Sequence, residues 1–351
     1  MPEGLSRGSI AAWLSLAPFA GELIMDLQPV DDPNLDCPEF GGPIVELPPD
    51  RTVGAMFESL EVPTAWHQFD WIKEQLWKHA TGKGVRVAVL DTGYTKHRYG
   101  PEPVAARSFV SGQSWADGNG HGTHCAGTIL CRLDENGNSI GLAPDADLIV
   151  GKCLSNGGSG GSDGIAASIR WAVDQGSHVI SMSLGGGGPD TGTNQAIDYA
   201  WSKGCMVNAA AGNSGFNGSN TIGWPAKYPN CLCCGAYAEN GSIANFSSGG
   251  RELDWACPGS NVISFSTNGS GFRGMSGTSM ATPYGSGLLA CLVDLRLRQG
   301  LPLFTSAQEV RDYFDKVLKD AGAPGFDQRF GKGIADGGFL LAAILSDLTG
   351  A

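Results

Sequence analysis

The sequence is poor in positive charge. Its 23 Lys and Arg stand against 35 Asp and Glu, for a net charge of -12, and no basic cluster stands out. That argues against nucleic-acid binding, which rests on cationic contacts to phosphates. No apolar run reaches the ~18–20 residues of a membrane-spanning helix, and no internal repeat is visible. The cysteines are Cys37, Cys125, Cys131, Cys153, Cys205, Cys231, Cys233, Cys234, Cys257 and Cys291. They lack the paired C-x-x-C spacing of zinc sites; Cys231-Leu232-Cys233-Cys234 sits in what reads as a strand. Most are therefore expected to be small buried hydrophobes, with some disulfides left open. Ile10 to Gly21 only faintly resembles a signal peptide, because Glu3 falls in the would-be basic region and Pro18 near the would-be cleavage site.

What is present is glycine, 53 residues spread along the chain, and 42% hydrophobic content. The 351 residues suit one large α/β domain plus an extension. Residues 27–50 are rich in Pro, Asp and Gly and read as irregular chain or linker. From Trp66 the pattern is regular. Short apolar runs at Val85–Leu90, Leu148–Cys153, Val179–Leu184 and Cys205–Ala210 read as strands buried on both faces. Helical stretches at Ser162–Asp174 and Asn194–Lys203 lie between them. The alternation predicts an α/β three-layer sandwich, a predominantly parallel sheet with helices on both faces. Ligands bind such sheets at the carboxyl ends of the strands, where Asp91 and Gly185 fall.

Gly277-Thr278-Ser279-Met280-Ala281-Thr282-Pro283 opens an apolar helical run to Leu292. A helix N-terminus offers N–H groups and partial positive charge to a developing oxyanion. Serine is a weak nucleophile and needs a base and a group to orient that base. His121-Gly122-Thr123-His124 supplies histidines at a helix start, and Asp91-Thr92-Gly93 ends a strand. Each has a plainer reading alone. Asp91 could be a turn residue, and two histidines could ligate zinc, although they are not the i, i+4 pair with an intervening Glu of a zincin.

Together, Asp91, His121 and Ser279, in that order and with these neighbours, resemble the subtilases, the subtilisin-like serine proteases of peptidase family S8. The resemblance covers about residues 66–345, with some likeness to thiol-containing proteinase K- and thermitase-like members and to intracellular subtilisins. It implies a serine endopeptidase with Asp91, His121 and Ser279 as triad and Asn213, in Ala210-Ala211-Gly212-Asn213, as oxyanion donor. It implies that Gly158, Ser159 and Gly160 form one edge for an extended peptide and Ser183, Leu184 and Gly185 the other. Ala210, Ala211 and Gly212, with Gly223 near the base, would wall a first pocket suited to a large apolar or aromatic residue. No acid matches a position that would select Arg or Lys. Ser162 stands where relatives often carry an aromatic residue, which widens the fourth subsite. Trp224-Pro225 resembles a dipeptide that is often cis in the family. Cys125 would pack beneath the triad.

The chemistry implied needs no cofactor. Asp134, Asn136 and Asn138 alternate as oxygen ligands of a structural calcium might, against the reading as a plain polar turn; Gly100 occupies the region of the family's usual Asp, with Glu102 nearby. Residues 1–62 are expected to be an N-terminal extension, removed in maturation or inhibitory, and 63–351 the peptidase domain. Pro43-Ile44-Val45-Glu46-Leu47-Pro48 is the segment expected to block the cleft. The partners expected are protein or peptide substrates and this extension, without nucleic acid or membrane span. The alternatives are a dedicated processing protease for one partner, or a catalytically silent binder, which the intact triad opposes. Ten cysteines, acidity and the weak signal favour an intracellular location over secretion; Asn217, Asn240, Asn245 and Asn268 begin N-x-S sequons that would matter only in a secreted eukaryotic chain.

Overall fold

The computed structural model describes residues 40–47, 52–59, 61–186 and 188–335. Cys37, most of the expected extension and Pro48 lie outside the described residues. The strands are β1 (Ile44–Glu46), β2 (Thr52–Val53), β3 (Phe57–Glu58), β4 (Arg86–Asp91), β5 (Ala105–Ser108), β6 (Asp147–Lys152), β7 (Ser159–Gly161), β8 (Val179–Met182), β9 (Met206–Ala210), β10 (Leu232–Tyr237), β11 (Trp255–Pro258), β12 (Val262–Phe265) and β13 (Gly271–Ser276). The helices are α1 (Trp77–His79), α2 (His121–Leu130), α3 (Ser162–Asp174), α4 (Thr191–Ser202), α5 (Thr278–Arg298) and α6 (Ala307–Phe314), with a π-helical segment, Ile72–Leu76, leading into α1.

Seven strands form the central sheet in the order β11-β10-β9-β8-β4-β6-β5, with every neighbouring pair parallel. Helices α2 and α5 pack together against one face, and α3 and α4 together against the other. Both faces of the sheet are thus covered, and this is why β4, β8, β9 and β10 read as continuous apolar runs rather than alternating ones. Helix α3 buries Ile165, Ala166, Ile169, Ala172 and Val173, one stripe at helical spacing. Helix α5 is buried from Thr278 through Leu295, which accounts for its lack of a polar face. The expected three-layer α/β sandwich is what the chain forms.

The connectivity positions the site. From β4 the chain builds outward to β6 and β5 on one side and to β8, β9, β10 and β11 on the other. The order therefore reverses at β4, and a crevice opens beyond the carboxyl ends of the strands there. Asp91 is the last residue of β4. A smaller antiparallel sheet, β12-β13-β2 with β3 also on β13, stands beside the start of α5. The last sheet is a two-stranded pair, β1 with β7.

Most strand expectations hold within one to two residues. Helix α5 runs on to Arg298, beyond the expected Leu292, because a buried acid there has partners. Asp294 Oδ2 accepts the N–H groups of Thr81, Gly82 and Lys83 at 3.0–3.1 Å, and Arg298 Nε donates to Oδ1 at 2.5 Å. The nine described cysteines are buried free thiols, as expected of small hydrophobes.

Candidate active site

Asp91 and His121 meet where β4 ends and α2 begins. His121 Nδ1 lies 2.8 Å from Asp91 Oδ1 and 3.0 Å from Oδ2, and both residues are buried. The Thr92 N–H donates to Asp91 Oδ1 at 2.7 Å and fixes the carboxylate's rotation. The close approach needs Gly122: a Cβ there would run into the Gly93 carbonyl and lie 3.1 Å from Asp91 Cβ. Burial alone would keep His121 neutral, but the Asp91 carboxylate outweighs it and holds the imidazole pKa well above its ordinary 6.5.

Asp117 organises the turn that delivers His121. Its Oδ1 accepts from Thr92 Oγ1 (2.9 Å), Asn119 N–H (2.9 Å) and Gly120 N–H (2.8 Å). Its Oδ2 accepts from Thr123 N–H (2.9 Å) and Thr123 Oγ1 (2.6 Å). Burial would raise its pKa, but these donors hold it below the usual carboxylate range. A carboxylate on the first N–H groups of α2 also suits the positive end of the helix. His124 is turned away from this pair. Its Nε2 lies 3.0 Å from Val262 O and 3.2 Å from Arg273 O, so the two histidines do not share a ligand.

Ser279 is the second residue of α5 and is fully buried. Four residues on, Pro283 has no N–H to give the Ser279 carbonyl, and its ring would crowd that oxygen. The carbonyl is satisfied from outside the helix instead, by Ser183 Oγ at 2.7 Å and the Cys125 thiol at 3.5 Å. Ser279 Oγ in turn approaches Ser183 O at 3.4 Å. Cys125 Sγ also lies 3.8 Å from His121 Nδ1, so this thiol does sit beneath the residues read as the triad. Asn213 Oδ1 accepts from both the N–H and the hydroxyl of Thr278, each at 2.9 Å. That fixes the amide by its acceptor edge and identifies the –NH₂ as its donor edge.

The two expected peptide edges face each other across a strand of the chain itself. β1 pairs antiparallel with β7, Ile44 with Gly161, Val45 with Gly160 and Glu46 with Ser159. On its other side Glu46 exchanges hydrogen bonds with Gly185, N–H to O at 3.3 Å and O to N–H at 3.2 Å. Leu47 N–H donates to Gly158 O at 2.9 Å. Gly160 admits this pairing because a Cβ there would collide with the Cys153 carbonyl behind it. Val45, with Ile165, Leu184, Trp224 and Tyr228, lines a small apolar hollow. Ala210 ends β9, Gly212 N–H donates to Thr278 Oγ1 at 3.1 Å, and Gly223 N–H donates to Ala211 O at 2.9 Å. The residues expected to wall the first pocket therefore run directly into Asn213 and the start of α5. The Trp224–Pro225 bond is cis.

The calcium reading does not fit. Asp134 Oδ1 accepts the N–H groups of Asn136 (2.9 Å) and Asn138 (2.8 Å), and its Oδ2 accepts from Val62 N–H at 3.1 Å. Asn138 Oδ1 accepts from the Lys73 ammonium at 3.1 Å. The three residues form a turn capped by its own aspartate with a cation already beside it. Glu102 nearby is paired with Lys96 at 2.6 Å.

Sequence reasoning assigned Ser183 only to the substrate edge. Pro283, four residues after the serine, was the readable sign that the Ser279 carbonyl needs an outside partner.

This site belongs to a recognisable lineage. Residues 82–333 match the model of the Subtilase family. Subtilisin DY of Bacillus licheniformis is 44% identical over 214 residues, covering 60% of this chain and 77% of that protein. Subtilisin Savinase of Lederbergia lenta is 40% identical over 246 residues, 69% of this chain and 86% of its own length. Thermitase of Thermoactinomyces vulgaris is 39% identical over 225 residues, 62% and 78%. With the family match spanning the whole parallel sheet and both helices that carry His121 and Ser279, the chain belongs to the subtilase family and is a serine endopeptidase.

Proposed function

We propose that this endopeptidase cleaves extended peptide segments through Asp91, His121 and Ser279, and that its own N-terminal extension holds it idle until displaced. Ser279 Oγ attacks the scissile carbonyl carbon while His121 takes its proton. The oxygen becomes an oxyanion held by the Asn213 amide and the Ser279 N–H. His121, kept in orientation by Asp91, then protonates the departing amine. Water repeats the sequence on the acyl-enzyme, with His121 first as base and then as acid. The resting imidazole lies beside a buried carboxylate, which favours the imidazolium that forms in both steps.

The observation that carries this reading is the course of Ile44–Leu47 between Gly158–Gly160 and Ser183–Gly185. It has the backbone hydrogen bonds an added substrate strand would make. The extension also reaches past the site, where β2 and β3 pair with β13 just before the nucleophile helix. Small first-pocket walls at Ala210, Ala211 and Gly212 favour a large apolar or aromatic residue before the cut. The hollow holding Val45 favours a branched aliphatic residue farther upstream.

The test has two parts. A fluorophosphonate probe should label Ser279 in a chain beginning at Pro63 and leave S279A unlabelled. That shortened chain should also label and turn over at least tenfold faster than the full chain. Equal rates in the two chains would remove the inhibitory role, and a folded but unlabelled Ser279 would remove the triad. Profiling on a peptide library then separates a degradative enzyme, cutting after many bulky apolar residues, from a processing enzyme with one narrow consensus.

A further inference from the structure

Lys152 closes β6 and is fully buried, which is costly for an ammonium unless it is paired and hydrogen-bonded. Its Nζ donates to the carbonyl of Thr92, the residue after Asp91, and to Asn156 Oδ1 at 2.8 Å. Asn156 is itself a junction. Its Oδ1 accepts from Gly118 N–H at 3.2 Å and its backbone carbonyl from Asn119 Nδ2 at 3.1 Å, both in the turn that delivers His121. Two residues beyond Asn156 begins the Gly158–Gly160 edge that pairs with β1. One ammonium thus ties together the backbone beside Asp91, the loop before α2 and the start of the peptide-binding edge.

We propose that Lys152 is a positioning residue for proteolysis: it locks the substrate edge to the Asp91–His121 pair, and its charge offsets one of the two buried carboxylates it faces, Asp91 and Asp117. This rests on the triad reading above. The ionisable groups facing Lys152 are Asp117, Asp91 and Cys153, and those facing His121 are Asp91, Cys125 and His124. Burial raises the pKa of both thiols and keeps them protonated, and burial lowers that of His124 to about 3 and keeps it neutral. The balance is therefore two carboxylates against one ammonium and, when protonated, one imidazolium. Removing the ammonium leaves the Asp91 carboxylate without that opposing charge, so it stabilises the imidazolium more strongly and withholds the base.

The test is the acid limb of kcat/KM against pH, measured on active mature enzyme. K152M should move the limb to higher pH by about half to one unit, the size of losing one charge in a protein interior. It should also raise KM as the edge loosens. N156D sets a carboxylate on the ammonium from an exposed position and should move the limb the same way. N156A removes the link but keeps the charge, so it should raise KM and leave the limb in place. Wild-type limbs in folded K152M and in N156D overturn the proposal. If K152M does not fold, N156D and N156A decide it, and identical limbs in those two overturn it. A wild-type mature chain that neither turns over nor labels at Ser279 overturns the triad reading and this inference with it. Labelling and turnover with unmoved limbs overturn the inference alone.

Discussion

Single atoms decide how Ser279 is presented. Because Pro283 supplies no N–H, the Ser279 carbonyl depends on Ser183 Oγ, and the two serines become one hydrogen-bonded unit. S183A should leave that buried carbonyl with only the weak thiol donor of Cys125. The expected cost is about 1–3 kcal/mol of stability, read from urea unfolding on an S279A background that prevents self-digestion. The backbone at Leu184 and Gly185, the proposed peptide edge, is untouched, so in the active enzyme kcat should fall while KM stays. An unchanged urea midpoint would mean that the thiol suffices. The presence of Asp91, His121, Ser279 and Asn213 was legible in sequence because each sits in a short motif of small residues. The role of Ser183 was not, since its partner lies 96 positions away.

At the scale of elements, the site is made by how closely the first turn of α2 approaches the end of β4. Gly122 is the contact that sets this distance. G122A must push the helix start off the Gly93 carbonyl, separating His121 from Asp91. We expect kcat to fall at least tenfold with little change in KM, because the peptide edges belong to other elements. Proton NMR should show the His121 Nδ1–H resonance shifted or lost. A variant with wild-type kcat would show that the loop after β4 yields instead. The runs that became β4, β6, β8 and β9 were readable as strands because burial on both faces demands continuous apolar side chains. β13 was not, since a mixed polar strand carries no such pattern and gains its pairing only from partners distant in sequence, and β7, a Gly-Ser stretch, was anticipated only through the family resemblance.

For the molecule as a whole, buried histidines set the response to acid. Burial lowers the pKa of His67 and His97 to about 4 and that of His124 to about 3, although each is hydrogen-bonded to backbone carbonyls. These groups are neutral in the fold and protonate near 6.5 once unfolded. Their contribution to stability is complete above about pH 6.5 and is lost as pH falls through the window down to about 4 and then 3. Each adds up to about 1.4 kcal/mol per pH unit there. His121 behaves oppositely: its raised pKa adds stability below 6.5 that fades as pH rises through the folded value, so it adds no slope within the acid window. The urea midpoint of the S279A chain should drop steadily from pH 6.5 to 5. H97F, whose ring can keep the 3.8 Å stack on Phe265, should flatten that slope. A midpoint level across this range would contradict the assignment.

The sequence by itself determined the family, the α/β class and the chemical groups of the site, because apolar runs and small-residue motifs are local properties. It also singled out Pro43-Ile44-Val45-Glu46-Leu47-Pro48 as the stretch to look for near the cleft. Only the tertiary structure decided what those groups do for one another. The reversal of strand order at β4 opens the crevice. The backbone donors around Asp134 turn an apparent cation loop into a self-capped turn. The buried ammonium of Lys152 links three segments, and β1 lies as a strand between two edges. Each of these is a contact between residues far apart in the chain. Its strength depends on burial and on which hydrogen-bond partners are left, and no local pattern records either.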